Sequence, residues 1–175
     1  MTEYAFSPTE KAQIEGLCRR YPTRQSAVMP VLWIAQQKFG ELSPPVIELV
    51  AQTLGLPPAH VEGVVSFYTM YIPKRKGQWL LELCTCFTCG ECGGRELWST
   101  IQDRFQLDEE GVSPDGFLWF REAECLGGCD AAPVLQIEGH RMVFHLTLEK
   151  LETVIESLRQ GELPPFESIP PRHFE

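Results

Sequence analysis

The stretch Cys84-Thr85-Cys86-Phe87-Thr88-Cys89-Gly90-Glu91-Cys92-Gly93-Gly94 decides how this sequence is read, together with its distant counterpart Cys125-Leu126-Gly127-Gly128-Cys129. Six of the seven cysteines fall in these two segments. Each segment is rich in glycine and follows an apolar, strand-like run, at 79–83 for the first and 117–124 for the second. Sulfur gathered on glycine-rich loops at strand ends points to a metal or redox centre. Glycine lets the backbone come close, and its N–H groups can then hydrogen-bond to sulfur.

A chain of 175 residues can build one good core, or one domain with a helical extension. At 43% hydrophobic and 22% charged, the composition is that of an ordinary globular protein. The net charge of −9 speaks against nucleic acid as a partner, because phosphate binding calls for a basic surface. No apolar run approaches the ~20 residues that span a bilayer, so direct membrane insertion is not expected. The N-terminal Met1-Thr2-Glu3-Tyr4-Ala5-Phe6 lacks the features of a signal or transit peptide. The expected location is therefore cytoplasmic, where cysteines stay reduced unless they hold metal or do redox work. The odd number of cysteines also counts against a purely disulfide framework.

Residues 7–71 read as four short helices with brief connections, a small bundle. Ser7-Pro8-Thr9-Glu10 is a helix start, and Ile14, Leu17, Cys18 and Tyr21 follow at helical spacing. Ser26 is placed to cap a second helix with Val28, Val31, Leu32, Ala35 and Phe39 on one face and Gly40 at its end. Pro44-Pro45 opens a third helix with Ile47, Val50, Ala51 and Leu54 inward, and Pro57-Pro58 a fourth with Val61, Val64, Val65 and Tyr68 inward. A basic linker at 71–77 ends this pattern. Beyond it come a strand at 79–83, a helix at 91–106, the turn Ser113-Pro114-Asp115-Gly116 and a strand at 117–124. A hairpin at 134–137 and 141–145 follows, then a helix capped by Thr147 and closed by Gly161. Strand–helix–strand, hairpin, helix is the order of a thioredoxin-like α/β unit, which would bring both cysteine segments to one sheet edge. The predicted fold is thus α/β: an N-terminal helical bundle over 1–74, a thioredoxin-like domain over 75–161 and a Pro-rich tail over 162–175. There is no P-loop and no dinucleotide fingerprint, so NAD and flavin are not placed on this chain.

Four thiolates suit a tetrahedral zinc ion or an iron–sulfur cluster. A zinc site confined to the first segment could use Cys86-x₂-Cys89 and Cys89-x₂-Cys92, which leaves Cys125 and Cys129 without a purpose. A [2Fe–2S] cluster asks for two ligands on each iron. Two segments offering a pair each meet that demand, and Cys84-x₄-Cys89 with Cys125-x₃-Cys129 does so.

At this point the sequence resembles a known family, the thioredoxin-like [2Fe–2S] subunits of respiratory NADH:quinone oxidoreductase (complex I). The resemblance spans about residues 21–158. It rests on Met29-Pro30-Val31-Leu32 through Phe39-Gly40, on His60-Val61-Glu62-Gly63-Val64-Val65-Ser66-Phe67-Tyr68, on Cys84-x₄-Cys89, on Ser113–Gly116, and on Glu124-Cys125-Leu126-Gly127-Gly128-Cys129-Asp130-Ala131-Ala132-Pro133-Val134. Carried over by motif, it implies one [2Fe–2S] cluster held by Cys84, Cys89, Cys125 and Cys129. The family usually has no cysteine at Cys86 or Cys92, so three spacings in the first segment could supply two ligands. The register of the flanking matches favours Cys84 and Cys89, leaving Cys86 and Cys92 as free thiols nearby.

The resemblance also implies a role. This would be an electron-transfer subunit whose cluster accepts single electrons from FMN on a larger flavin- and NADH-binding subunit, with a further iron–sulfur subunit in the same module. FMN and NAD would sit only on the partner, and the isolated chain would not oxidise NADH. Placement would be peripheral, on the cytoplasmic face of the inner membrane through the complex. The nearest rival is the equivalent subunit of a NAD-reducing hydrogenase or a NAD-dependent formate dehydrogenase. A thiol–disulfide oxidoreductase using Cys86-x₂-Cys89, or a zinc scaffold, would leave Cys125 and Cys129 idle.

Other residues read as structural. His60 suits a packing or partner contact, His140 a solvated turn, and His145 and His173 lack ligand-like neighbours. Cys18 reads as a small core residue, and Trp79, Trp98 and Trp119 as packing of the sheet and its helix. Glu62 and Gly63 read as helix packing or partner contact, and Pro133 is a candidate for a cis peptide bond.

Overall fold

The computed structural model describes residues 4–165. The chain forms two compact units, Met1–Arg75 and Lys76–Glu175, each with its own apolar core. Most of the expected Pro-rich tail falls on residues 166–175, and His173 with it; these lie outside the described residues.

The first unit is helical. Helix α1 (Pro8–Cys18) starts in a capping box: the Glu10 amide donates to Ser7 Oγ at 3.3 Å, and the Ser7 amide donates to Glu10 Oε2 at 2.7 Å. Two donors that the first turn leaves bare are so satisfied. Lys38 pairs with the same carboxylate and, as the largest cause, holds its pKa below the ordinary value. A 3₁₀ turn, Arg24–Ala27, leads into α2 (Val28–Phe39). Ser26, expected as the cap of α2, lies inside that turn instead, its hydroxyl 3.1 Å from Thr23 Oγ1. Helices α3 (Pro44–Leu54) and α4 (Pro58–Phe67) follow, both with proline in the first turn. Gly40 and Gly55, at φ 80° and 68°, end α2 and α3 in the left-handed conformation that glycine adopts without strain.

Ile14, Leu32, Val50, Leu54, Val61 and Val65 meet in the core of this unit, and Cys18 is buried among them as expected. Gln36 is buried as well, and its amide is used at both ends. Its Oε1 accepts from the Ile72 amide at 2.7 Å and its Nε2 donates to the Met70 carbonyl at 3.1 Å. Tyr68, expected inward, is 39% exposed, and Tyr21, expected at helical spacing after Cys18, is 40% exposed. Helix α1 stops at Cys18 and α4 at Phe67, so neither tyrosine stands in the helical register that would carry it to the core.

The second unit is a four-stranded sheet in the order β2-β1-β3-β4. Strand β1 (Trp79–Cys84) pairs in parallel with β2 (Leu118–Ala123) and antiparallel with β3 (Leu135–Ile137), which forms a hairpin with β4 (Arg141–Val143). The parallel pair needs a crossover. It contains the one-turn helix α5 (Phe87–Cys89), a wider π-type turn at Gly90–Gly94 and α6 (Arg95–Arg104). The single helix expected over 91–106 therefore begins later, because Gly93 at φ 93° breaks the helical path. Helix α7 (Leu148–Arg159) opens with Thr147 Oγ1 accepting from the Lys150 amide at 3.2 Å.

Alternation along β1 sorts its side chains. Leu81 and Leu83 join Leu118, Phe120, Leu135 and Ile137 in a core closed by Ile101 of α6 and Leu151 and Leu158 of α7. Leu80, Glu82 and Cys84 take the other face. The result is the expected thioredoxin-like α/β unit. Its Ala132–Pro133 peptide is cis.

Candidate metal centre

Parallel pairing brings the two cysteine segments together. Cys84 is the last residue of β1 and lies opposite Ala123, the last residue of β2. Both strands run the same way, so the chain beyond each of them leaves the sheet at the same end. The Thr85 amide donates to the Ala123 carbonyl at 3.1 Å, and the Cys84 amide donates to the Val134 carbonyl at 2.9 Å. The Cys84 thiol lies 3.7 Å from the Glu124 carbonyl, one residue before Cys125.

Cys89 sits on α5 and returns toward Cys84, to which its thiol is hydrogen-bonded. Burial, helped by that bond, pushes the Cys89 thiol up to about 12, against a hydrogen bond from the Val134 backbone that lowers it. Cys129 begins a 3₁₀ turn, Cys129–Ala131, and its thiol is hydrogen-bonded to Cys125 and Thr88. Although Cys129 is exposed as a residue, partial desolvation of its sulfur is the largest cause raising its pKa, followed by Cys125. Cys129 also feels the charge of Cys84, and Cys89 that of Cys129. Sulfurs from two remote segments thus form one electrostatic group.

Close backbone approach explains two of the glycines. A Cβ on Gly94 would lie 2.6 Å from the Cys89 carbonyl oxygen and 3.0 Å from that of Cys84, so a side chain there would push the first segment apart. A Cβ on Gly128 would lie 2.9 Å from the Phe144 ring and 3.0 Å from Val134. Val134 packs with Cys84 and Cys89, flanked by Leu126, Ala132, Met142 and Phe144, which makes an apolar floor beneath the sulfurs.

Whether these residues suit a [2Fe–2S] cluster turns on the donor set. All seven cysteines are free thiols. Cys84 with Cys89, and Cys125 with Cys129, stand as two hydrogen-bonded pairs. Among the described residues, no three His, Cys, Asp or Glu side chains gather as a set for one ion. Two irons with two thiolates apiece is the demand that two pairs meet. Thiolates of the two pairs would repel one another, which a positively charged metal centre relieves. The donors, the glycine approaches and the apolar floor fit the cluster.

The remaining residues divide plainly. Cys86 and Cys92 are exposed, Cys86 as the residue capping α5 and Cys92 in the π-type turn. His60 lies on α4, in a pocket of about 370 Å³ with Ala59, Gly63, Val64, Phe67 and Tyr68. His140 and His145 are exposed, and His140 Nδ1 is 2.8 Å from the Glu138 carbonyl. Sequence reasoning missed Thr88 and Val134 as hydrogen-bonding neighbours of the sulfurs. Thr88 had one signal, a hydroxyl beside a cysteine; Val134 contributes only backbone and had none.

Comparison with known proteins is consistent with this geometry. Residues 14–159 match the family model described as thioredoxin-like [2Fe-2S] ferredoxin. An NADH-quinone oxidoreductase subunit of Rhizobium meliloti is 36% identical over 154 residues, 88% of this chain and 91% of that protein. NADH-quinone oxidoreductase subunit 2 of Thermus thermophilus is 34% identical over 151 residues, 85% and 83% of the two chains. The corresponding NADH-quinone oxidoreductase subunit of Rickettsia bellii is 33% identical over 162 residues, 91% and 96%. Among solved structures, an air-oxidized NAD⁺-reducing [NiFe]-hydrogenase superposes with a TM-score of 0.61 at 19% identity. That match covers 74% of this chain but 23% of the hydrogenase chain, and at this identity it speaks to fold alone.

Proposed function

This chain belongs to the thioredoxin-like [2Fe–2S] ferredoxin family, and from that premise we propose that it is the electron-transfer subunit of an NADH:quinone oxidoreductase. Cys84, Cys89, Cys125 and Cys129 would hold its one [2Fe–2S] cluster. The observation that carries this reading is the meeting of two thiol pairs, one from each remote segment, at the shared end of β1 and β2. When bound, the cluster supplies a one-electron site, which a two-electron donor such as NADH needs downstream of a flavin.

The chain's own residues do the rest. Val134 donates a backbone N–H to the Cys89 sulfur, and Thr88 bonds the Cys129 sulfur. Donors to sulfur stabilise the more negative, reduced state. Leu126, Ala132, Met142 and Phe144 line the same spot with apolar atoms. The partner in this reading is a larger flavin- and NADH-binding subunit, with a further iron–sulfur subunit beside it. The N-terminal unit offers a contact face for such a partner in the pocket on α4, where Phe67 is 77% exposed. Association would be peripheral, at the cytoplasmic face of the membrane; among the described residues no helix is long and apolar enough to cross one. A NAD-reducing hydrogenase or formate dehydrogenase as the parent complex is the second reading, motivated by the family resemblance; the hydrogenase superposition agrees with it in fold alone.

The test is metal and sulfide analysis of the purified full chain, with EPR after dithionite. About two irons and two sulfides per chain, and a signal on reduction, are expected. The chains that co-purify from the native source distinguish the three candidate parent complexes.

A further inference from the structure

Strand β1 reads Trp79-Leu80-Leu81-Glu82-Leu83-Cys84, and its one charge is 5% exposed. Glu82 shares its sheet face with Cys84, two residues on and ~6.6 Å along the strand. Register places Arg121 of β2 on one side of it and Gln136 of β3 on the other. Arg121 donates to one carboxylate oxygen, Oε1, through Nη2 at 2.7 Å and Nε at 2.9 Å. The guanidinium also lies over the Trp119 ring, 5.6 Å from its centroid. The Gln136 amide donates through Nε2 to Met142 Sδ at 3.4 Å. The second oxygen, Glu82 Oε2, is buried with no hydrogen-bond partner among the described residues.

Packing does not account for this arrangement. An apolar residue would continue the pattern of β1, and buried ion pairs seldom stabilise more than apolar replacements of the same volume. A buried oxygen without a partner is itself unfavourable. What the pair does have is position, one row of the sheet below the end where the sulfurs meet.

We propose that the Glu82–Arg121 pair is a positioning charge pair that sets the reduction potential of the centre. This rests on the cluster assignment made above. Reduction adds one electron and nothing else, and the two side chains act on it as fixed charges. The carboxylate opposes the added electron and the guanidinium offsets that opposition. Near ~10 Å, with the effective dielectric of a protein interior, one uncompensated charge changes the electron affinity of the centre about tenfold. Because Glu82 is buried, salt screens this effect poorly.

The experiment is a redox titration of the full chain reconstituted with iron and sulfide, followed by EPR and visible absorption at low and high salt. The proteins are wild type, Glu82→Gln, Arg121→Gln and the double variant. At a fixed ambient potential, Glu82→Gln raises the reduced-to-oxidised ratio about tenfold, Arg121→Gln lowers it by a similar factor, and the double variant stays within about threefold of wild type. Glu82→Gln within twofold of wild type, or moving the ratio down, overturns the proposal. If Arg121→Gln fails to fold because it leaves the carboxylate bare, Glu82→Gln and Glu82→Leu decide, and both must raise the ratio. Absence of iron and sulfide from the wild-type chain would instead refute the cluster assignment, and this proposal with it.

Discussion

The two cysteine segments meet at one end of the sheet, yet one is enclosed and the other open. Cys84 and Cys89 are 2% and 1% exposed, whereas Cys125 and Cys129 both lie at the surface. The cause is the place of each strand. β1 is flanked by strands on both sides, and the chain leaving it turns at once into α5 and the π-type turn, which fold back over the sulfurs. β2 is an edge strand, and the chain leaving it makes only a 3₁₀ turn before β3. One pair is therefore fixed by the core, and the other closes the site from outside.

Substitution of the four proposed ligands gives the largest effect and sharpens this contrast. Serine at Cys84, Cys89, Cys125 or Cys129 should in each case reduce iron from about two per chain to near zero, measured by metal analysis. Stability of the metal-free chain should fall only for Cys84→Ser and Cys89→Ser, by about 1–3 kcal/mol, because only these place a hydroxyl in an apolar site. Equal destabilisation by Cys125→Ser or Cys129→Ser would break the contrast.

The glycines come next. Gly94→Ala meets two carbonyl oxygens of the first segment, which cannot yield without moving the backbone, and should destabilise by about 2–3 kcal/mol. Gly128→Ala meets the side chains of Phe144 and Val134, which have more room to adjust, and should destabilise by about 1 kcal/mol. Thermal melts of the two variants rank them. The reverse order would mean that the second segment is the tighter one.

A smaller effect concerns the start of β2, at the far end from its cysteines. Asp115 is held down to about 2 from the ordinary 3.8, first by the Ser113 hydroxyl, then by the Phe117 amide and by Arg159. A depressed carboxyl contributes stability above its unfolded pKa and loses it as pH falls through the folded value. The melting temperature should therefore decline between about pH 4 and pH 2, and less steeply in Asp115→Asn. The side chain is 48% exposed, so solvent screening keeps this contribution small.

Smallest of all is the effect of Cys86→Ser and Cys92→Ser. Both residues are exposed, so iron content should be unchanged and stability should stay within about 0.5 kcal/mol. Iron lost with Cys86→Ser and kept with Cys84→Ser would reassign the first pair.

Much of this was legible in residue order. The apolar run of β1, the Thr147 cap and the helical spacing of Leu151, Val154, Ile155 and Leu158 all act locally, so the sequence displays them. That each cysteine segment follows a strand was legible because strand runs are local, whereas the choice of Cys84 and Cys89 among three possible spacings came from the family resemblance and not from spacing. What depended on register across the sheet was hidden. Arg121 lies beside Glu82 only because Trp79 pairs with Leu118, and nothing within either strand announces that offset. Tyr68 misled because its spacing continues α4, while the chain at Tyr68 has already left the helix for extended φ/ψ.

Iron and acid-labile sulfide assayed together on the purified chain, with EPR after reduction, test the central claim most directly. About two of each per chain with a signal on reduction is the predicted result. A single zinc per chain, without sulfide or colour, would contradict it.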